Sequence, residues 1–174
     1  MLNGASSAVT EDTLYLADLT QATIECFVCF GETPSSGTLF SMGSGVGSFN
    51  VTADATAGTL NGTFIPYNHL AASNGGTAPL APLAGKKAWH HVALVIDRTK
   101  SGADAVRFYV DYERATPAGR AWDKSATMLD AVLTVGTGFT GRIDDLRVSS
   151  GALEPNEFLS ARTEVPDGTQ ISVR

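Results

Sequence analysis

The stretch Thr23-Ile-Glu-Cys-Phe-Val-Cys-Phe30 contains the clearest structural pattern in the chain. Every second residue from Ile24 to Phe30 is apolar, and successive side chains of an extended backbone point to opposite sides. One face of this segment is therefore suited to a core, while the other carries Thr23 and Glu25. The pattern predicts a half-buried β-strand.

Further strand-like segments follow this stretch along the chain. They occupy residues 38–42, 48–52, 59–67, 89–97, 106–112, 131–136 and 141–149. Gly43–Gly47 is expected to join the first two as a hairpin, and 68–85 is expected to form a long surface loop. Helical character is confined to Ala152–Ala161, where Pro155 suits a first turn, and one short helix is predicted there. These features predict an all-β sandwich that forms one domain over residues 1–174.

Composition excludes two classes of partner. The 174 residues include 12 Lys and Arg against 18 Asp and Glu, so the net charge is −6, which disfavours nucleic acid. No apolar run approaches the roughly 20 residues of a membrane helix, so membrane insertion is not expected. The segment Met1–Ser7 lacks a basic stretch followed by an apolar one. We therefore expect no signal peptide in this chain and interpret it as a fragment of a larger secreted protein.

Two cysteines, Cys26 and Cys29, have the Cys-x-x-Cys spacing of redox motifs. Redox chemistry requires such a pair at a helix N-terminus, where the thiol pKa is lowered. Residues three apart on a strand point to opposite faces, so these two thiols are not expected to bond. We interpret them as free thiols that fill space in the core.

Four segments, taken in order, resemble signatures of the laminin G-like, concanavalin A-like lectin–glucanase jelly-roll domains. They are Thr23-Ile-Glu-Cys-Phe-Val28, Trp89-His-His-Val-Ala-Leu-Val-Ile-Asp97, Arg107-Phe-Tyr-Val-Asp111, and the closing stretch from Phe139 to Phe158 with Gly-Arg-Ile-Asp-Asp-Leu-Arg-Val at its centre. The resemblance implies a two-sheet antiparallel jelly roll of roughly 12 to 14 strands. Tyr112 stands where the family has a glycine, which predicts a longer loop from Glu113 to Trp122.

The resemblance also implies a setting and a class of partner. Relatives are extracellular or cell-surface modules of larger, often bacterial proteins that bind carbohydrate or protein, and some hold calcium. A glycan, an extracellular protein or a neighbouring domain of the parent protein is therefore the expected partner. Because the same fold also carries catalysis in some relatives, the fold alone does not assign the function.

Catalytic residues are not evident. Glucanases that resemble this chain use a Glu-x-Asp-x-Glu strand, which places two carboxylates about 5 Å apart on one face. The nearest string here is Asp111-Tyr-Glu113, at a strand end beside Arg114. We interpret this pair as solvated and structural, and we predict that the chain is not an enzyme.

His90 and His91 are adjacent on a predicted strand and would face opposite sides of it. One of them is expected to reach Asp144 or Asp145 on the closing strand. Such a pair would form a buried polar link between strands or part of a metal site. The structural role is the favoured interpretation.

Calcium is the metal that the acidic loops would suit, since it prefers oxygen ligands. Candidate ligands are Asp12, Asp18, Asp54 and Asp145. They do not form a contiguous calcium loop, so they would have to converge from distant segments.

Sugar binding requires an exposed aromatic ring beside polar groups. Trp122 suits this role best, and the further candidates are Tyr112, Tyr67, Asn68 and His69. Trp122 could equally fold back over an edge of the sandwich. The leading hypothesis is a non-catalytic carbohydrate-binding, lectin-like module. The alternative is a protein-interaction or architectural module of a multidomain extracellular protein, and hydrolysis ranks last.

Overall fold

The structure is a computed structural model that describes residues 2–3, 7–65, 74–83, 85, 88–118 and 127–160. Its strands are β1 (Leu2–Asn3), β2 (Ala8–Val9), β3 (Gln21–Phe30), β4 (Gly37–Met42), β5 (Phe49–Asp54), β6 (Thr59–Phe64), β7 (Asn74–Pro79), β8 (His90–Asp97), β9 (Val106–Val110), β10 (Glu113–Arg114), β11 (Thr116–Ala118), β12 (Leu133–Val135) and β13 (Thr140–Ser149). Short 3-10 turns lie at Ala81–Leu83, Gly102–Asp104 and Pro155–Glu157. The predicted all-β class is confirmed. Within the described residues, no helix is long and apolar enough to span a membrane.

Two antiparallel sheets form the sandwich. Sheet A has the strand order β1-β13-β3-β8-β9-β10, and sheet B has the order β11-β7-β6-β5-β4-β12-β2. Their inner faces meet in one apolar cluster, to which sheet A contributes Ile24 and Leu94 and sheet B contributes Val51 and Leu60. The packed core explains how the fold holds without a disulfide, since both cysteines are buried and free. Burial raises the pKa of the Cys26 thiol, as expected for a residue that fills the core.

The two sheets come close together around Phe108 of β9. Gly62 and Gly76 lie opposite each other on β6 and β7. A Cβ atom on Gly62 would lie 2.3 Å from Cδ2 of Phe108, and one on Gly76 would lie 3.1 Å from its Cβ. The Phe108 ring therefore occupies the space that a side chain at Gly62 would need, and its Cβ atom crowds the same space at Gly76.

Strand β7 lies inside the segment that the sequence predicts as a surface loop, so that prediction is wrong. Its sequence, Asn74-Gly-Gly-Thr-Ala-Pro79, is poor in the branched and aromatic residues typical of strands. The backbone nevertheless pairs with β6 on one side and β11 on the other. Gly75 has a φ of 154°, and a Cβ there would lie 1.8 Å from the carbonyl oxygen of Gly62, so the pairing requires glycine.

The predicted longer loop after Asp111 is also absent, because a two-residue turn joins β9 to β10. Asp111 and Tyr112 have φ values of 50° and 68°, which is the left-handed conformation that favours glycine and asparagine in two-residue hairpin turns. A left-handed tyrosine costs roughly 1–2 kcal/mol. The Tyr112 ring offsets this by stacking on His91 at 4.7 Å, and its hydroxyl donates to the Leu159 carbonyl at 2.8 Å.

Residues 150–160 lie against the outer face of sheet A, and we call them the C-terminal strap. Phe158 packs on Ala93, Val95 and Tyr109 of that face. The predicted helix is reduced to the turn Pro155–Glu157, because Phe158 is already extended. The prediction that β3 is a half-buried strand is wrong. Every residue from Ala22 to Phe30 is buried, so the strand is buried on both faces.

Candidate functional site

The outer face of sheet B carries small, uncharged polar side chains. Strand register places Thr134, Ser41, Asn50 and Thr63 in one row across β12, β4, β5 and β6. A second row joins Thr52, Asn61 and Thr77 across β5, β6 and β7. All seven side chains are half-buried. We call this set the polar face.

Most hydrogen-bonding groups of the polar face are available to a ligand. Thr77 donates to the Asn61 carbonyl at 3.0 Å, and the Asn61 amide donates to the Thr59 hydroxyl at 3.0 Å. The other five side chains have no hydrogen bond to another described residue. Asp54, which follows Thr52 on the same side of β5, accepts the N–H groups of its own turn. A ligand on this face would therefore meet neutral donors and acceptors.

Exposed apolar side chains border the polar face at its β2–β12 edge. Val9 lies opposite Thr134 and is 52% exposed, and Val132 is 39% exposed. Tyr15 is 78% exposed, because its neighbours Leu14 and Leu16 both turn toward the core. Sequence reasoning missed Tyr15 because no strand pattern surrounds it. The alternation of Leu14, Tyr15 and Leu16 is the signal that was available.

The predicted binding residues Tyr67, Asn68, His69 and Trp122 lie outside the described residues. The described residues on either side of these positions nevertheless lie at one end of sheet B. Phe64 pairs with Asn74 there, and Ala118 pairs with Gly75. After residues 119–126, the Leu129 N–H donates to the Gly47 carbonyl, beside the glycine-rich connection between β4 and β5. Tyr15 and Val132 border the same end of the sheet, through the pairing of Leu14 with Ala131.

The outer face of sheet A is organised around Glu25, a fully buried carboxylate. One oxygen accepts hydrogen bonds from Nε2 of His91 at 2.7 Å and from the Leu159 N–H at 2.8 Å. The other accepts from the guanidinium of Arg147. Burial alone would raise the pKa of Glu25, but these donors outweigh it and hold the pKa below its ordinary value of 4.5. Glu25 thus joins β3, β8, β13 and the C-terminal strap.

The histidines have other partners than the expected Asp144 or Asp145. His91 bonds Glu25, and Nδ1 of His90 bonds Asp111 at 2.8 Å. Asp144 lies one strand further away, because Phe27 stands between it and His91 in the register. Its carboxylate accepts the Asp145 N–H instead, at 2.9 Å.

Asp111 and Glu113, the carboxylates nearest to a catalytic pair in the sequence, differ in their surroundings. Asp111 accepts the His91 N–H at 3.0 Å in addition to bonding His90, whereas Glu113 is exposed on β10. Tyr112, a candidate for sugar stacking, has one ring face on His91 and its hydroxyl on Leu159. These contacts fix the β9–β10 turn against the strap.

The four candidate calcium ligands do not come together. Asp12 and Asp18 are exposed, Asp54 closes its own turn, and Asp145 lies where β13 shifts register. Across the described ranges, no group of three or more His, Cys, Asp and Glu side chains could hold a metal ion.

Arg142, on β13, and Trp89, which directly precedes β8, form a second polar feature of sheet A. The guanidinium lies 5.0 Å from the Trp89 ring centre and donates to the Cys29 sulfur at 3.5 Å. Arg142 has no oxygen acceptor among the described residues. Asp144 follows on the same face of β13, which limits the positive potential at this point.

Acid should destabilise the protein through Glu25. Its stabilising contribution is fully present above a pH of about 4.5, the pKa expected when unfolded, and is lost as the pH falls through the lower folded pKa. Urea unfolding at pH 7 and pH 3.5 should show lower stability at the acidic pH. Glu25→Gln should reduce this difference without abolishing it, because the pKa of Asp97 is also lowered by its bonds to Thr99 and Gln21. A wild-type difference that Glu25→Gln leaves unchanged would contradict this account.

Comparison with known proteins places this geometry in a family. A laminin G-type profile, described as the concanavalin A-like lectin/glucanases superfamily, matches residues 3–158. A search of curated protein sequences found no match.

Among solved structures, the receptor binding domain of botulinum neurotoxin D is similar with a TM-score of 0.66 and 11% identity, over 90% of this chain and 41% of that one. Domains LG4-5 of the mouse laminin alpha1 chain are similar with a TM-score of 0.62 and 16% identity, over 88% of this chain and 43% of that one. The CBM40 of the Ruminococcus gnavus IT-sialidase, bound to α2,3 sialyllactose, is similar with a TM-score of 0.55 and 17% identity, over 86% of this chain and 95% of that one. This chain spans about two fifths of the neurotoxin and laminin chains, and at these identities the likeness concerns the fold. With the profile covering nearly the whole described sandwich, the chain belongs to the laminin G-type family of the concanavalin A-like lectin/glucanases superfamily.

Proposed function

We propose that this chain is a non-catalytic carbohydrate-binding module of a larger extracellular protein, and that its ligand lies on the polar face. The observation that carries the proposal is the row of unpaired hydroxyl and amide groups from Thr134 to Thr63. Sugars are recognised through such neutral groups together with an aromatic ring. The resemblance in fold to a sialidase CBM40 supports the proposal.

The other broad surface is less suited to a ligand. The C-terminal strap occupies the outer face of sheet A over β8 and β9. Polar groups beneath it, such as Glu25, are already bonded within the protein. Trp122, Tyr67, Asn68 and His69 remain predicted contributors, since the chain leaves and rejoins the described sheet beside the polar face.

A glycan array probed with the purified chain in millimolar calcium tests the proposal. We expect binding to a related set of glycans. The double substitution Asn50→Ala with Thr63→Ala should lower affinity for the strongest of them about 30-fold, because each of the two lost hydrogen bonds contributes about 1 kcal/mol. Calorimetry measures this change. Ser101→Ala, which alters an exposed residue before β9, is the matched control and should bind like the wild type.

A blank array would contradict the proposal and favour the second candidate, a protein-interaction module. The exposed apolar side chains of Val9, Tyr15 and Val132 are the observation that favours this candidate. Neighbouring domains of the parent protein would then be the first partners to test. Turnover of chromogenic glycosides that is lost in Asp111→Asn would instead show an enzyme.

A further inference from the structure

We infer that the ligand of the polar face is a neutral, extended oligosaccharide that crosses the strands of sheet B, with one sugar ring stacked on Tyr15. This inference rests on the proposed function and names the class of ligand, its direction and an aromatic contact. Three independent features carry it: the charge of the face, the spacing of its polar groups and the exposure of Tyr15.

The charge of the face selects a neutral ligand. Ser41, Asn50, Thr52 and Thr63 offer donors and acceptors but no formal charge. Among the described residues, this face carries no cation, and the Asp54 carboxylate lies on the same side of β5. An anionic sugar would therefore leave water there without a cationic partner, which is unfavourable. The described arginine that lacks an oxygen acceptor, Arg142, belongs to the opposite sheet. An acidic glycan would therefore be recognised there and not on the polar face.

The spacing of the polar groups suits an extended chain. Thr134, Ser41, Asn50 and Thr63 stand on four adjacent strands in direct register. Neighbouring strands are about 4.8 Å apart, so the row repeats a hydrogen-bonding group at that interval over about 14 Å. This interval is comparable to the length of one hexose unit in an extended oligosaccharide. Each successive sugar can therefore meet the next strand, and Thr52 on the neighbouring row adds a second contact.

Tyr15 supplies the aromatic surface. The ring is 78% exposed, although its backbone is firmly held. Leu14 exchanges two backbone hydrogen bonds with Ala131, and Leu16 is buried in the core. Val132 is exposed next to this pair, at the β12 end of the polar row. A sugar that passes Thr134 thus meets an apolar border where the C–H face of its ring can pack on the tyrosine.

Calorimetry with linear neutral gluco-, manno- and galacto-oligosaccharides of two to six units, and with sialyllactose, tests the inference. We expect affinity for the bound series to rise with length up to about four units, matching the four-strand row, and then to level off. Tyr15→Ala should lower affinity for the longer members about tenfold, while Tyr15→Phe, which keeps the ring, should bind like the wild type. Sialyllactose should bind no better than lactose.

The outcomes separate this inference from the proposed function. Binding that shows no length dependence, or that Tyr15→Ala leaves unchanged, overturns the inference but leaves a carbohydrate-binding module. A preference for sialyllactose that is lost in Arg142→Ala also overturns it, because the ligand would then be acidic and bound on sheet A. Failure to bind any glycan overturns both.

Discussion

Glu25→Ala is expected to lower the free energy of unfolding by about 3 kcal/mol. The substitution leaves Nε2 of His91 and the Leu159 N–H without an acceptor in a buried site, and it removes the partner of Arg147. Breaking a buried ionic link by removing one partner typically costs about 3–5 kcal/mol. The lower end applies here because the Arg147 side chain is 32% exposed and retains its bond to the Glu157 carbonyl.

The same substitution should loosen the C-terminal strap before the sandwich unfolds. Hydrogen exchange at residues 150–160 should accelerate, whereas exchange at β5 and β6 should change far less. Urea unfolding gives the global stability, and Glu113→Ala, at an exposed carboxylate of β10, is the control that should match the wild type. A Glu25→Ala protein with wild-type stability and strap protection would show that the cluster does not hold the strap.

Gly62→Ala is expected to destabilise the protein by about 2–3 kcal/mol. The new Cβ would lie 2.3 Å from Cδ2 and 2.5 Å from Cγ of Phe108, and this part of the ring is too close to its own backbone to move freely. Relief would require the sheets to separate locally or Phe108 to leave its position, and overpacking of this kind typically costs about 1–3 kcal/mol.

Gly151→Ala is the matched control, because a Cβ there would touch only the end of Leu153 at 3.8 Å. Thermal or urea unfolding of both variants measures the difference. If Gly62→Ala proved as stable as Gly151→Ala, the close approach of the sheets at Phe108 would be wrong.

The amino-acid sequence predicts the fold where side chains carry the signal. The alternation in β3 and the apolar run of β8 identify strands because such segments must bury their apolar sides. Strand β7 is not predictable from local sequence, because Gly75 and Gly76 have no side chains to form a pattern. Their presence is explained by tertiary contacts: Gly75 lies against the backbone of Gly62, and Gly76 lies against Phe108. The burial of Glu25 is not predictable from local sequence either, because the strap that covers it is more than 120 residues away in the chain.

The candidate site was less predictable than the fold. Asn50, Thr52, Asn61 and Thr63 occupy the outward positions of the β5–β6 hairpin, so part of the polar face follows from alternation. Thr134 joins them only through the pairing of β12 with β4, which local sequence does not show. The sequence favours loop aromatics as ligand contacts, because a lone polar residue on a strand resembles any other solvated position.

We expect the polar face of sheet B to be the surface that binds glycan. An amide chemical-shift map, recorded while linear neutral oligosaccharides of four units are added to the labelled protein, shows which strands the sugar contacts. Shifts are expected in β4, β5, β6 and β12 and near Tyr15, and none in β8, β9 or the C-terminal strap. Shifts confined to sheet A, or no shifts with any of these oligosaccharides, would contradict this expectation.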